Sequence, residues 1–237
     1  MDLSFIILTW NSERYIEACL LSVEKKCVDE GIAFEIIVID NGSSDGTKQI
    51  INNLPEPLLQ HITVFELLEN KGTTYPRNLG LKKATGKFIC ILDSDTEMKK
   101  GNLAVVLGKL EREDTVGIIA PKLILPNGKV QNSVKKFPTF LQKLWKIPKA
   151  IFGVKFSAPD FYEEFPFAVE TKVDTAISAC WIFKKSLIDR VGYLDERIFY
   201  SPEDLDYSMR VFKARLQIIF YPHLEILHHT QQISVTD

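Results

Sequence analysis

Glycine-rich fingerprints are missing from this sequence. No G-x-G-x-x-G follows any of its apolar runs, which argues against a dinucleotide-binding Rossmann site. The segment after the first run, "LTWNSERY", is not the glycine-rich loop expected of a nucleotidyltransferase. No uninterrupted apolar stretch reaches the ~18 residues that a membrane-crossing helix needs. The four cysteines, at 19, 27, 90 and 180, have no Cys-x-x-Cys spacing and sit among apolar neighbours. They read as reduced core residues of an intracellular, cytoplasmic protein, not as a disulfide frame or zinc site. No basic segment precedes the first apolar run, so no signal peptide is expected. Internal repeats and low-complexity tracts are absent too.

One absence is local. Residues 115–159 hold no Asp or Glu but eight lysines, at 122, 129, 135, 136, 143, 146, 149 and 155. The whole chain carries a formal −2, so the remainder carries −10 once the eight lysines are set aside. The near-neutral total gives no signal for nucleic acid, and none is expected as a partner. Within the cationic stretch, residues 135–156 interleave lysines with Phe137, Phe140, Trp145, Phe152 and Phe156. Two uses are open: apolar residues packed on a sheet with solvated lysines, or an acceptor-side surface in peripheral contact with an anionic membrane. The first is preferred, because Pro138 and Pro148 interrupt any long amphipathic helix.

What is present is an alternation of strands and helices. Apolar, β-branched runs at 3–9, 34–40, 62–68 and 87–93 read as strands buried on both faces. Between them lie a helix capped by Asn11 or Ser12 and stopped by Gly31, a helix capped by Ser44 or Asp45, and a helix over 74–85 ended by Gly86. That order predicts an α/β fold with a mainly parallel central sheet flanked by helices. The second half is less regular. Residues 116–134 predict two strands around a Pro-Asn-Gly turn, 135–168 short helices and loops, and 173–185 a strand. An amphipathic helix over 202–216 and two short strands, 217–222 and 225–229, follow. One domain spanning 1–237 is expected, with a nucleotide-side half (1–98) and an acceptor-side half (99–237).

In a parallel α/β sheet, ligands bind at the carboxyl ends of the strands. Asp40 ends the second strand, and Asp93 and Asp95 end the fourth. Asp-x-Asp after a buried strand offers oxygen ligands to a hard cation such as Mg²⁺ or Mn²⁺. An isolated Asp-x-Asp is better explained as a strand end and a cap for the helix near Gly101.

The neighbouring blocks change that reading. "IILTWNSERYI" (6–16), "IIVIDNGSSDGT" (36–47), "ENKGTTYPRNLGLKKATGKFICILDSDTEM" (69–98) and "GYLDERIFYSPEDLDYSMRVFKARLQIIFYPHLEILHH" (192–229) occur in order along nearly the whole chain. Together they resemble the family 2 glycosyltransferases, and the last resembles their rhamnosyltransferase-type branch.

The resemblance implies the GT-A nucleotide-diphospho-sugar transferase fold and metal-assisted, inverting transfer from a UDP- or dTDP-sugar to a glycan or lipid-linked saccharide, as in polysaccharide synthesis. It places Thr9 and Asp40 around the base, Asp40 accepting from the pyrimidine imide N–H. Arg77 falls near base and phosphates, Asp93 at ribose or metal, and Asp95 at the metal. His228 is the candidate third metal ligand, with His229 also available. Asp204 is the general base, with Glu203 and Ala179 on the acceptor side and Asp206 structural. Gly72 permits a tight approach of the chain or a turn. Thr73 and Thr74 depart from the branch, which usually has an aromatic and a small residue there. Two alternatives stay open: a binding module without turnover, and a retaining nucleotide-sugar transferase.

Overall fold

The computed structural model describes residues 1–137, 162 and 164–231. The expectations for 135–168, including the membrane or acceptor role of the cationic stretch, fall largely outside them. Among the described residues no helix is long and apolar enough to cross a membrane.

The strands predicted for the first half form as β1 (Leu3–Thr9), β2 (Phe34–Asp40), β3 (Ile62–Glu66) and β4 (Phe88–Asp93). They pair in parallel in the order β3-β2-β1-β4. Successive strand residues point to opposite faces, so Phe5, Ile7, Val38 and Cys90 enter one core while Ile6, Ile37, Ile39 and Ile91 enter another. The first core is covered by α1 (Ile16–Asp29) and α5 (Leu103–Arg112), with α2 (Thr47–Asn52) and α3 (Glu56–Leu59) adding Ile51 and Leu58. The second takes Leu81 from α4 (Thr74–Lys83), Leu187 and Ile188 from α6 (Leu187–Val191), and Tyr207 and Val211 from α7 (Glu203–Lys213).

The sheet continues through the second half. Beyond β4 lie β10 (Cys180–Lys184), β6 (Val116–Ile124), β11 (Gln217–His228) and β5 (Thr96–Lys100). β8 (Thr171–Val173) also pairs with β11, and β7 (Val134–Lys135) pairs with β9 (Thr175–Ala176) separately. β10 is antiparallel to both β4 and β6, and β11 is parallel to β6. The carboxyl end of β11 therefore lies along the same sheet edge as those of β1, β2 and β4. Thr9, Asp40, Asp93 and His228 are brought to one edge by topology.

Several local expectations differ from the fold. The segment after Asp95 forms β5, antiparallel to β11 with His228 opposite Thr96, and the helix beyond Gly101 is capped by Asn102, whose Oδ1 accepts from Val105 N–H at 2.9 Å. β5 spans residue 98, and one sheet runs through both sides of it. The two terminal strands are one, with the pairing register shifting between Tyr221 and Glu225, where Pro222 has no N–H to give. The strand predicted over 173–185 is broken into pieces within 173–184. Among the described residues no side chain caps α1; instead Ser12 O accepts from Ile16 N–H at 3.0 Å. Asp45 does serve α2, accepting from Thr47 N–H at 3.0 Å. All four cysteines are buried and free.

Candidate active site

Asp93 and Asp95 flank the turn between β4 and β5, and His228 closes β11 on the neighbouring strand. One potential ligand atom from each lies within 4.8 Å of the others. An octahedral ion with bonds of about 2.1 Å sets neighbouring donors about 3 Å apart and opposite donors about 4.2 Å. The trio is therefore close to the spacing a divalent cation needs.

Asp95 is fastened on several sides. Its Oδ2 accepts from Gln231 N–H at 2.6 Å, its backbone oxygen from His229 N–H at 2.9 Å, and its Oδ1 faces His228 Nε2 at 3.5 Å. Burial pushes the Asp95 carboxyl up, but the His228 ring and the Gln231 N–H outweigh it and hold it below the usual carboxylate range. Burial pulls the His228 imidazolium down, and Asp95 outweighs it, so His228 titrates above the ordinary imidazole range. The signs give a window in metal-free protein. A depressed carboxylate loses its stabilising contribution as pH falls through its folded value, and a raised imidazole loses its own as pH rises through its folded value. The pair therefore stabilises most between the ordinary values of about 4 and 6.5. In EDTA, the melting temperature of His228→Gln should fall furthest below wild type near pH 5.5 and least at pH 9. An equal deficit at both would remove the pairing. His229 lies beside this group: its Nε2 meets Glu97 Oε1 at 2.7 Å, and its ring stacks on Tyr15.

Arg77 is the other organiser. α4 presents it inward, 3% exposed. Its Nη2–H donates to Asp93 Oδ1 at 2.7 Å, and its Nη1–H to Ser178 Oγ at 2.9 Å and Glu203 Oε1 at 3.3 Å. Ser178 Oγ–H also donates to Glu203 at 3.2 Å. The guanidinium expected near base and phosphates is thus committed to two carboxylates, with buried Nε its one group lacking a partner among the described residues. Glu203, expected toward the acceptor, turns inward and is itself buried. Ala179 is buried as well, its carbonyl accepting from Asp93 N–H at 2.9 Å.

Asp204 differs from its neighbour. It is half-buried at the start of α7, and its Oδ1 accepts from Leu205 N–H at 2.7 Å. Burial and the adjacent Glu203 charge raise its carboxyl above the usual range. Asp206 pairs with Arg210 at 2.8 Å.

At the far end of the edge, Thr9 stands opposite Asp40 in the β1–β2 register. Both are fully buried, and Thr9 Oγ1 and Asp40 Oδ1 have no hydrogen-bond partner among the described residues. Buried polar atoms are nearly always satisfied, so such an adjacent pair marks where a ligand's polar edge would fit. The second Asp40 oxygen accepts from Ser43 N–H at 3.2 Å and faces Lys48 at 3.5 Å.

The wall over the site is braced by residues that composition does not flag. Asn41 donates to Asn70 Oδ1 and Gly72 O, both at 2.9 Å. Thr73 N–H and Thr74 Oγ1–H donate to the carbonyls of Phe199 and Ile198 at 2.7 and 2.6 Å. The two threonines that depart from the branch pattern strap the segment before Asp204 onto α4. Gly72, at φ +79°, lies so close that a Cβ would stand 2.0 Å from Phe199 O. Its tight approach is to protein backbone. Gly72→Ala should cost at least about 1–3 kcal/mol from backbone strain alone, with further loss as the strap shifts. Urea denaturation checks this, and a loss under about 0.5 kcal/mol would contradict it.

The family model described as "Glycosyl transferase family 2" matches residues 4–192. An N-acetylglucosaminyl-diphospho-decaprenol L-rhamnosyltransferase of Mycobacterium tuberculosis is 23% identical over 92% of this chain and 71% of its own length. The poly(ribitol-phosphate) beta-N-acetylglucosaminyltransferase TarS of Staphylococcus aureus is 38% identical over 44% of this chain, but over only 18% of its own length. The crystal structure of S. aureus TarS superposes with a TM-score of 0.66 at 25% identity, covering 97% of this chain and 37% of that one. GalNAc-T7, crystallised with UDP, GalNAc and Mn²⁺, gives a TM-score of 0.73 at 15% identity over 97% of this chain and 44% of its own, a likeness of fold alone. The chain thus spans well under half of several relatives it matches.

Proposed function

The chain belongs to glycosyl transferase family 2, and from that premise we propose that it transfers a sugar with inversion from a UDP- or dTDP-sugar to a hydroxyl of a glycan or lipid-linked saccharide. The observation that carries this reading is the meeting, along one sheet edge, of the Asp93–Asp95–His228 group with the Arg77–Glu203 pair beside Asp204. The names of the rhamnosyltransferase relative, matched over most of both chains, and of the TarS relative support an acceptor of the diphospho-lipid-linked sugar or polyol-phosphate polymer kind.

The orphaned Asp40 Oδ1 accepts the imide N–H of uracil or thymine, and the Thr9 hydroxyl meets the same base edge. Asp93 and Asp95 with His228 would hold a divalent cation. The imidazole donor favours Mn²⁺ over Mg²⁺, which prefers all-oxygen sites. When bound, the cation supplies Lewis-acid neutralisation of the negative charge that develops on the departing diphosphate. Burial raises the Asp93 carboxyl, Arg77 offsets part of that rise and aims the side chain, and the Arg77 Nε is the donor left for ribose or phosphate. Asp204, with its raised basicity, removes the proton of the acceptor hydroxyl as that oxygen attacks the anomeric carbon. Glu203, locked by Arg77 and Ser178, shapes the acceptor side with Ala179 and contributes the negative charge beside the base.

A thermal-shift and hydrolysis panel of nucleotide-sugars tests the proposal. One UDP- or dTDP-sugar should stabilise the protein with Mn²⁺, and the stabilisation should vanish in EDTA. Product released with the donor's anomeric configuration would contradict inversion. No stabilisation or turnover with any donor would favour a binding module for glycans.

A further inference from the structure

The hairpin that follows β6 ends beside the candidate metal ligand on β11. β6 runs parallel to β11 with Ile124 beside Leu227. The chain then reverses through Pro126, Asn127 and Gly128, closed by Leu125 N–H to Lys129 O at 2.8 Å and by a bridge between Ile124 and Val130. Gln131 N–H returns to Leu123 O at 2.9 Å, so its backbone is fixed on the strand next to β11. From there its side-chain Oε1 meets His228 Nδ1 at 2.7 Å.

We propose that Gln131 is a positioning residue for the metal site: by accepting the Nδ1 proton it fixes the His228 ring and tautomer and leaves Nε2 as the ligand nitrogen. The inference rests on the metal reading above. Its physical basis is that an imidazole with one nitrogen engaged as donor presents the lone pair of the other. His228 Nε2 is the nitrogen that faces Asp95, at 3.5 Å. An imidazole free in water favours the Nε2–H form, the wrong one for this ligand. A partner on Nδ1 works against that preference, and partners of this kind are worth 10–100-fold in metal affinity. His228 is otherwise enclosed, its side chain 11% exposed, so the carbonyl of an amide at hydrogen-bonding distance is a specific provision. The Asn127-Gly128 turn also acquires a purpose, because it sets the register that places Gln131.

Two readouts test this on the full chain. In metal-free protein Asp95 competes for the ring proton at Nε2, so ¹⁵N NMR of the imidazole, above the titration of His228, is read as a difference: Gln131→Leu should shift the tautomer balance from Nδ1–H toward Nε2–H relative to wild type. Mn²⁺ titration followed by the free-ion EPR signal should show affinity about 10–100-fold weaker in Gln131→Leu. It should be kept in Gln131→Glu, whose carboxylate accepts the same proton. His228→Ala is measured alongside, and melting curves confirm that each variant folds. Unchanged affinity in Gln131→Leu beside a loss in His228→Ala overturns the positioning role and leaves the metal reading standing. Unchanged affinity in both overturns the two together, and a tautomer balance unchanged in Gln131→Leu overturns the positioning role directly.

Discussion

Replacing Asp204 by asparagine should lower turnover by about 10²–10⁴-fold, the usual contribution of a positioned general base, while leaving UDP binding unchanged. The side chain keeps its shape and can still accept from Leu205 N–H, but it can no longer take a proton. The electrostatics add a second signature. Burial and the Glu203 charge raise the Asp204 carboxyl, so the acidic limb of the kcat/KM profile should lie above the usual carboxylate range. Glu203→Gln removes the like charge, and that limb should move to lower pH. A carboxyl raised in the folded state stabilises at low pH and loses that contribution as pH rises through its folded value. Asp204→Asn should therefore melt at a slightly higher temperature than wild type at neutral pH. A variant within tenfold of wild-type turnover, or one with weakened UDP binding at equal kcat, would move the base elsewhere.

Arg77→Met should be the most damaging substitution for stability, costing about 3–5 kcal/mol, the penalty for leaving buried charge without its partner. The guanidinium joins Asp93 to Glu203 and Ser178, so its removal strands the buried Glu203 carboxylate and leaves the half-buried Asp93 without its cation. Adding Glu203→Gln to Arg77→Met should recover part of the loss, because one stranded charge is then neutral. A double-mutant cycle by urea denaturation gives the coupling. Lysine at 77 keeps the charge but loses the planar fork that reaches both carboxylates, so it should fall between the two. A loss below about 1 kcal/mol in Arg77→Met would mean that the site relaxes around the missing charge and that Arg77 does not organise it.

The parallel half of the fold was legible because its strands are continuous apolar runs and its helices have clean periods. Residues 3–9, 34–40 and 87–93 coincide with β1, β2 and β4 to within a residue. β5 was not legible: "TEMKK" has one buried apolar residue, Met98, and owes its strand geometry to pairing with β11. Likewise the break at Pro222 suggested two strands, whereas partners on both sides of β11 hold it as one with a shifted register.

The site shows the same division. Asp40, Asp93, Asp95 and Asp204 could be singled out as carboxylates at strand and helix ends, and His228 through the family pattern. The partners of Arg77 could not, since the direction of its side chain depends on how α4 and α7 pack. Gln131 carried no signal either. A lone glutamine in a loop shows its purpose only when a hairpin delivers it to a histidine 97 positions away.

The central claim, a cation held by Asp95 that engages the donor diphosphate, is tested most directly by calorimetric titration of UDP into wild type and Asp95→Asn, each with Mn²⁺ and with EDTA. The account predicts that Mn²⁺ strengthens UDP binding at least about tenfold in wild type and has no effect in Asp95→Asn. Equal affinity under all four conditions would contradict it.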